Sequence, residues 1–356
     1  PRLDYSGGAS CPSLLLEPQR QNLFANSEYI DWWDAYSGLL KTANAATSPD
    51  GGSNAYKLYA NSASSKKGIY KSFGVSASAT SFSLFAKAGE IDIIQIGYGG
   101  TYGGTYANIN LTDGSVEVES NQTTSVKDYG NGWYRITAVA TPTAGTGYWF
   151  ANITDDPAML RNGNYVGNSS DGLYIFGAQL ELGSYPTSYI PTYGTSQTRS
   201  KEQCNVNSVS GKIGQTQGTF FLDADLYKKT NTEFYIAISD GTLSNSIYLH
   251  QSSQSLLVNK RISGATEFLQ LTPANWSSGR NKCAITYTAT EMKIFVNGVL
   301  KDTETINGLP SGLSKLTLGS RQDNLGELAS DADYKQALLF PTALTDSECI
   351  ALTKLD

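Results

Sequence analysis

The residues of this chain that are best suited to contact a ligand are aromatic, and most of them lie among glycine and polar residues. Pyranose rings present apolar C–H faces that stack on Trp and Tyr, and glycine-rich backbone lets a loop approach a ligand closely. These aromatics therefore predict carbohydrate contacts. The candidates are Trp32, Trp33, Tyr36, Tyr98, Tyr102, Tyr106 and Trp149.

The candidates fall into three groups with different surroundings. Trp32 to Tyr36 follows the first strand in a polar stretch that offers no obvious core, and Tyr98 to Tyr106 repeats tyrosine every four residues with glycine pairs between. The third group is the run Tyr148 to Phe150, in which strand alternation predicts that Trp149 points outward. Core packing or an interface between subunits is the alternative for each group, because aromatics are enriched there too.

Catalysis is the competing hypothesis, and the sequence offers little for it. A Ser-His-Asp mechanism has only His250, the single histidine, in a segment whose alternation could place it on a sheet surface. A glycosidase needs two carboxylates a few ångströms apart. Asp223 and Asp225 share one strand face, but we expect them to be solvated. We therefore predict that the protein is not an enzyme.

The composition indicates antiparallel sheets with polar turns. Hydrophobic residues make up 40% of the chain and charged residues only 16%, and there are 35 Gly and 22 Tyr. A formal net charge of −6 argues against nucleic acid or an anionic membrane as the main partner. No stretch reaches the ~20 apolar residues of a membrane span. No signal peptide is visible, and the initial Pro1 suggests a fragment or a processed product.

Period-two alternation predicts the strands that position the aromatics. It is clear in Ser81–Lys87 and Ile91–Gly97 and continues in Gly132–Ala140, where we expect Trp133 to close the start of a strand. Such strands, separated by Gly, Asn, Asp and Ser clusters, predict an all-β fold. We expect two antiparallel β-sandwich (jelly-roll) domains in tandem, with a short N-terminal arm.

Shifts in composition suggest the boundaries of these domains. Residues 1–22 predict a connecting arm, and residues 23–196 the first sandwich. Residues 197–213 are polar with few apolar anchors and predict a linker, and residues 214–356 predict the second sandwich.

Two local motifs are clear in the second half. Asn297-Gly298 between apolar runs predicts a two-residue hairpin. Thr345 and Glu348 predict a capping box before a short helix at Cys349–Thr353.

The two segments Cys11–Trp33 and Gly177–Ser200 resemble the opening and closing strands of a carbohydrate-binding-module-like β-sandwich found in phage tail fibres and related virion adhesins. Pro1–Leu23 resembles the lead-in that joins such a module to the upstream part of a tail protein. The second half resembles a concanavalin-A-like (laminin-G-like) jelly roll, and the pattern E-x-D-x-x-E of laminarinase-type relatives does not occur. The resemblance is carried there by Gly218–Leu226, Lys293–Leu300, Leu316–Arg321 and Ala337–Thr353.

The resemblance implies an adhesion fragment of the phage tail, assembled in the host cytoplasm and acting at the host cell surface. It would bind a bacterial surface polysaccharide or glycan as a homotrimer joined to an upstream tail-fibre region. It also implies a structural calcium, for which the matching positions are Asn26, Glu28 and Glu181, with Gln179 adjacent. The chain departs from the family in having no Asp-Asp pair at the end of the last strand.

Two other functions stay open at this point. The sandwiches could be spacers without glycan affinity, or a polysaccharide depolymerase with its active site in a jelly-roll groove. Grouped surface aromatics favour binding, aromatics buried between subunits favour a spacer, and two carboxylates lining a groove favour the enzyme. A disulfide between Cys11 and Cys204, which flank the first sandwich, is geometrically conceivable, although a bacterial cytosol would keep both reduced.

Overall fold

The computed structural model describes residues 2–4, 13–226, 232–321 and 332–355, and it divides the chain into two compact units. One unit is Arg20–Arg199, which we call the N-terminal sandwich. The other is Pro1–Gln19 together with Ser200–Asp356, which we call the C-terminal sandwich. Both consist of antiparallel sheets, which confirms the all-β prediction.

Two short strands precede the N-terminal sandwich in the chain, β1 (Arg2–Asp4) and β2 (Ser13–Leu16). The N-terminal sandwich then contains β3 (Arg20–Asn22), β4 (Asp34–Ala35), β5 (Leu39–Ala46), β6 (Ala55–Ala60), β7 (Gly68–Val75), β8 (Thr80–Lys87), β9 (Ile93–Gly100), β10 (Tyr106–Asn110), β11 (Val116–Ser120), β12 (Thr123–Asp128), β13 (Trp133–Ala140), β14 (Gly145–Thr154), β15 (Gly172–Leu182) and β16 (Gln197–Arg199), with a 3₁₀ turn at Ile30–Trp32.

Two six-stranded sheets face each other across the core of the N-terminal sandwich. Sheet I has the order β11-β10-β9-β14-β7-β4, and sheet II has the order β12-β13-β8-β15-β6-β5. The alternation predicted for β8 and β9 is confirmed, since Phe82 and Leu84 of sheet II and Ile94 and Ile96 of sheet I point into this core. Trp133 begins β13 and is buried, as expected.

The C-terminal sandwich continues with β17 (Cys204–Val206), β18 (Gln217–Leu226), β19 (Glu233–Ser239), β20 (Ser246–Ser252), β21 (Ser255–Ile262), β22 (Ala265–Leu271), β23 (Gly279–Thr288), β24 (Glu291–Val296), β25 (Val299–Thr305), β26 (Lys315–Leu318), β27 (Ala332–Phe340) and α1 (Asp346–Thr353), with a 3₁₀ turn at Pro273–Asn275. Among the described residues one sheet runs β1-β2-β27-β18-β23-β24-β25 and the other β17-β26-β19-β20-β21-β22.

The expected arm and linker are parts of the sandwiches, so both boundaries need correction. β2 pairs with β27, and Leu16 is buried in the core of the C-terminal sandwich. At the other boundary, β16 pairs with β3 and β17 pairs with β26. Short polar strands at a sheet edge are satisfied by backbone hydrogen bonds, which composition does not reveal. The C-terminal sandwich is therefore discontinuous in sequence, with residues 20–199 inserted into it.

The two local motifs of the second half are confirmed. Asn297 and Gly298 have φ angles of 51° and 80° and join β24 to β25, as a two-residue turn of this kind requires. Thr345 caps α1 and forms the reciprocal capping box with Glu348. The helix begins at Asp346, three residues earlier than expected.

Candidate functional site

Four of the seven predicted contact residues lie in the core of the N-terminal sandwich, so the expectation that they face a ligand is wrong. Trp33 is 2% exposed, Tyr98 and Trp149 are fully buried, and Tyr102 is 6% exposed. Trp149 packs at 3.9 Å between ring centroids on Phe82 of the opposite sheet. All four belong to the main hydrophobic core.

The buried tyrosines use their hydroxyl groups inside the protein. Tyr98 donates a hydrogen bond to the carbonyl of Ala138 at 2.7 Å, and the hydroxyls of Tyr102 and Thr80 are 2.6 Å apart. The two tyrosine rings are stacked with centroids 4.4 Å apart. Burial raises the pKa of both phenols above its usual value, so they remain protonated. Tyr98 and Tyr102 therefore close the core rather than bind a ligand.

Trp32 is half-buried, and a cation lies over one face of its ring. The Nζ atom of Lys71 lies 3.9 Å from the ring centroid and also donates to the Trp32 carbonyl at 3.3 Å. This cation–π contact competes with any sugar that would stack on the same ring. Trp33 next to it follows the 3₁₀ turn, which directs it inward, where its Nε1 donates to the Asn26 carbonyl at 3.2 Å.

Tyr36 lies on the outer surface of sheet I, where it meets two tyrosines that the sequence analysis did not nominate. Its ring stacks on Tyr70 with centroids 4.8 Å apart and planes 25° apart. Tyr70 in turn meets Tyr148 edge-on at 6.3 Å. All three are half-buried, and we call Tyr36, Tyr70 and Tyr148 the tyrosine face.

Strand register explains why these tyrosines share one surface. In β14, Trp149 enters the core, so Tyr148 and Phe150 on either side of it point outward. Tyr148 lies opposite Gly99, and Phe150 lies opposite both Tyr70 and Gly97. The outward row of sheet I thus alternates aromatic rings with glycines.

The two glycines let the rings lie down on the sheet. A Cβ atom at Gly99 would stand 2.2 Å from Cζ of Tyr148, and one at Gly97 would stand 2.8 Å from Cζ of Phe150. The phenol end of Tyr148 therefore occupies the space of an absent side chain. Tyr106, the remaining nominated residue, borders Gly97 on the neighbouring strand and is half-buried.

A guanidinium group borders the tyrosine face. Arg161 donates from Nη2 to the Tyr98 carbonyl at 2.7 Å and from Nε to the Thr105 carbonyl at 3.2 Å. Its Cζ atom lies 5.3 Å from the centroid of Phe150. These contacts fix the planar group beside the rings, where it is half-buried.

The electrostatics of the tyrosine face keep its phenols neutral. Burial raises the pKa of Tyr36 to about 12, with further increases from Tyr148 and Tyr70 and an opposing effect of Arg161. The Nζ atom of Lys66 lies 5.6 Å from the centroid of the Tyr36 ring. At neutral pH the face therefore offers phenol O–H donors and ring surfaces beside two cations. Such a surface suits a ligand with hydroxyl groups and apolar C–H faces.

Two of the expected calcium ligands, Glu181 and Asn26, accept hydrogen bonds from within the protein. Glu181 is fully buried and accepts hydrogen bonds from the Thr187 amide and hydroxyl and from Gln179. The Asn26 side-chain oxygen accepts from the Gly194 amide at 3.0 Å. Among the described residues no set of three or more His, Cys, Asp and Glu side chains is arranged for a metal ion.

Glu28, by contrast, lies beside an oxygen-rich loop between β5 and β6. The Ser48 hydroxyl is 2.5 Å from both Asp50 Oδ1 and Asn54 Oδ1, although a hydroxyl has a single proton to donate. Asn54 Nδ2 also reaches Glu28 Oε2 at 3.4 Å. Burial, with a smaller contribution from Asp50, raises the pKa of Glu28 above its usual value. Carboxylate, amide, hydroxyl and carbonyl oxygens, including the Gly52 carbonyl, are the donors that calcium prefers, so this loop fits the ion better than the expected set.

Asp223 and Asp225 of the C-terminal sandwich are each paired with a cation, which corrects the expectation that they are simply solvated. Asp223 is 4% exposed and accepts from Nε and Nη2 of Arg280 at 3.0 and 2.9 Å. Asp225 pairs with Lys335 at 2.9 Å. His250 is buried and its Nε2 meets Asn259 Oδ1 at 3.3 Å.

The remaining predictions concern cysteines and a membrane span. Cys204 has a free thiol, and Cys11 lies outside the described residues, so the conceivable disulfide stays a prediction. Within the described ranges, no helix is both long enough and apolar enough to cross a bilayer.

No protein-family model and no curated protein matches the sequence. Among solved structures, the chain is similar to the CBM40 of Ruminococcus gnavus IT-sialidase bound to alpha2,3 sialyllactose. That match has 18% identity and a TM-score of 0.36, and it covers 44% of this chain and 97% of that one. The NanB sialidase from Streptococcus pneumoniae matches with 17% identity and a TM-score of 0.38 over 44% of this chain and 27% of its own.

The binding domain of botulinum neurotoxin serotype D matches with 12% identity and a TM-score of 0.33, over 42% of this chain and 39% of its own. The chain thus spans about a quarter of the NanB sialidase chain and less than half of the neurotoxin domain chain. Likenesses at these TM-scores carry no argument about this chain.

Proposed function

We propose that the chain is an adhesion fragment of a phage tail fibre that binds a bacterial cell-surface glycan through the tyrosine face of its N-terminal sandwich. The observation that carries the glycan-binding part is the grouping of Tyr36, Tyr70 and Tyr148 around glycines on one outer sheet surface, beside Arg161. Rings of this kind stack on sugars, while phenol and guanidinium groups pair with their hydroxyls.

The role in a virion is supported by the sequence resemblance of the segments at residues 11–33 and 177–200. A homotrimer would present three copies of the face, and this raises the avidity of individually weak sites. Light scattering of the purified chain tests the trimer, which a monomer at micromolar concentration would contradict.

The test of glycan binding is capture of host cells and of purified surface polysaccharides by the full chain. We expect Tyr148→Ala and Tyr70→Ala to lose capture while keeping the unfolding midpoint within a few degrees. Tyr29→Ala is the matched control, because this tyrosine is 57% exposed and lies outside the tyrosine face. Capture that is equal in all three variants would contradict the proposal.

Calcium binding at the loop of Ser48–Asn54 and Glu28 is part of the same proposal. The ion would neutralise Glu28 and Asp50, whose charges otherwise repel each other, and would fix the loop. We expect added calcium to raise the unfolding midpoint of the native chain but not of Asp50→Asn. An equal effect of magnesium, or none of calcium, would count against the site.

A spacer without glycan affinity is the second candidate. It is favoured by the burial of Trp33, Tyr98, Tyr102 and Trp149, which shows that much of the aromatic content serves packing. The capture experiment separates the two, because a folded trimer that binds no polysaccharide or cell supports the spacer.

A further inference from the structure

A cleft with a volume of about 250 Å³ opens on the N-terminal sandwich at the end of sheet II, whereas the tyrosine face lies on sheet I. Its walls are the turn between β12 and β13, the loop between β5 and β6, and the last residue of β8. The side chains that matter for its chemistry are Thr47, Lys87, Tyr129, Asn131 and Trp133.

The walls of this cleft are fixed by hydrogen bonds. Trp133 is 3% exposed, and its Nε1 donates to the Thr47 carbonyl at 3.1 Å, which ties the two loops together. The turn itself closes through the amide of Trp133, which donates to the Gly130 carbonyl at 3.0 Å. Asn131 has a φ of 53° between two glycines that also have positive φ, a backbone conformation that these residue types adopt without strain. The cleft is therefore preformed.

One ring and one cation define what the cleft could bind. Tyr129 is 43% exposed and meets Phe85 edge-on at 5.0 Å, which supports the ring from the side and leaves ring surface open. Lys87 is the only charged side chain among the described residues that line the cleft, and it forms no ion pair with a described carboxylate. The Nζ atom of Lys127 lies 5.7 Å from the centroid of the Tyr129 ring and adds a second positive charge nearby.

Lys87 thus places an ammonium group in the cleft lining itself, whereas the carboxylates next to lining residues in the chain, Asp50 and Asp128, are held by hydrogen bonds within their own loops. An ammonium group without a partner binds carboxylate strongly through charge-assisted hydrogen bonds. A ring beside it suits the apolar face of a pyranose, and the Asn131 side chain suits hydroxyl groups.

We infer that this cleft binds a carboxylate-bearing sugar residue, a uronate or an acid of the same kind, with its ring against Tyr129 and its carboxylate at Lys87. The inference rests on the proposed function, since it names the class of glycan and adds a charge-selective site on the second sheet. Two sites on one sandwich would allow a single chain to engage an acidic polysaccharide at two points.

Titration of the full chain with glucuronic acid and with glucose, followed by backbone amide NMR, tests the inference. We expect glucuronic acid to shift the amides of residues 129–133 and of Thr47, Ser48, Asp50 and Gly51, and to bind about tenfold more tightly than glucose, as a charged hydrogen bond provides. Lys87→Gln should remove this preference, and Tyr129→Ala should weaken both sugars. Lys212→Gln is the matched control, because it removes the same charge from an exposed position outside the cleft lining.

The opposite results are equally clear. Equal affinity for the two sugars, a preference that survives Lys87→Gln, or shifts confined to other residues would each overturn the inference. Tyr148→Ala separates it from the proposed function: this variant should lose polysaccharide capture but retain the glucuronate shifts at the cleft. If Tyr148→Ala still captures polysaccharide and still shows the glucuronate shifts, the tyrosine face is rejected and the cleft is kept. If Tyr148→Ala loses capture and the glucuronate shifts at the cleft are absent, the cleft is rejected and the tyrosine face is kept.

Discussion

Replacement of Gly99 by alanine offers a sharp test of the tyrosine face, because it moves Tyr148 without removing it. The new methyl group would stand 2.2 Å from Cζ and 2.4 Å from Oη of Tyr148. Carbon atoms in contact lie about 3.5 Å apart, so the ring must move by about 1.3 Å. It can do so, because the atoms in its way are the far end of a half-buried side chain rather than backbone.

We expect Gly99→Ala to change the free energy of unfolding little but to weaken ligand binding clearly. Overpacking costs about 1 kcal/mol, and alanine in a strand regains about 0.5–1 kcal/mol relative to glycine, so the two nearly cancel. Loss of one stacked ring costs about 1 kcal/mol of binding free energy, which is about a fivefold loss of affinity. Calorimetric titration with the captured polysaccharide and thermal unfolding measure the two quantities.

Gly74→Ala is the matched control for this substitution. Gly74 lies on β7 of the same sheet and does not need a positive φ, and a methyl group added there would have no heavy atom within 4 Å among the described residues. We expect native affinity and a slightly higher unfolding midpoint. Affinity of Gly99→Ala within twofold of Gly74→Ala would refute the assignment of Tyr148 to the binding surface.

Three further predictions concern stability. Trp33→Phe should lower the free energy of unfolding by about 1–2 kcal/mol more than Trp149→Phe, as measured by urea denaturation. Trp33→Phe loses the hydrogen bond from Nε1 to the Asn26 carbonyl, whereas Trp149→Phe removes a buried Nε1 that has no partner among the described residues. Asp223→Asn should cost about 1–2 kcal/mol, below the value for a fully buried pair because Arg280 is 39% exposed, and no shift of the urea midpoint would contradict this. Thr345→Ala should cost about 1 kcal/mol, because it removes the helix cap. It should also flatten the acid limb of the pH–stability curve, because the Thr345 hydroxyl lowers the pKa of Glu348 in the folded protein. The stability gained from this lowered pKa is complete above pH 4.5 and is lost as the pH falls through the lowered pKa. An unchanged acid limb would show that the capping box does not contribute.

The sequence was most informative where a local rule is sufficient. Asn297-Gly298 had to turn, because few other residues adopt positive φ at two successive positions, and Thr345 and Glu348 satisfy each other within one helical turn. Alternation in β8 and β9 likewise separated the two faces of each strand, one of which lies in the core. These features depend only on neighbours in the chain.

The phase of alternation in β14 shows how a small ambiguity misplaces a site. Tyr148, Trp149 and Phe150 are all large and aromatic, so the sequence alone does not show which face is the core. A shift of one residue exchanges the faces, and the prediction chose Trp149 where the structure exposes Tyr148. Gly97 and Gly99 were the available signal for the outer face of β14. They pair with Phe150 and Tyr148, and glycines opposite large rings leave room for those rings to lie on the sheet.

The sequence by itself determined the all-β class, the turns and an abundance of aromatic residues in a chain with few charged ones. Tertiary structure alone decided which tyrosines share a surface, because Tyr36, Tyr70 and Tyr148 are brought together by pairing between strands far apart in the chain. It also decided that the chain start belongs to the C-terminal sandwich, since β2 finds its partner in β27, more than 300 residues later. Backbone hydrogen bonds between distant strands depend on register and burial across the whole fold, which no local pattern encodes.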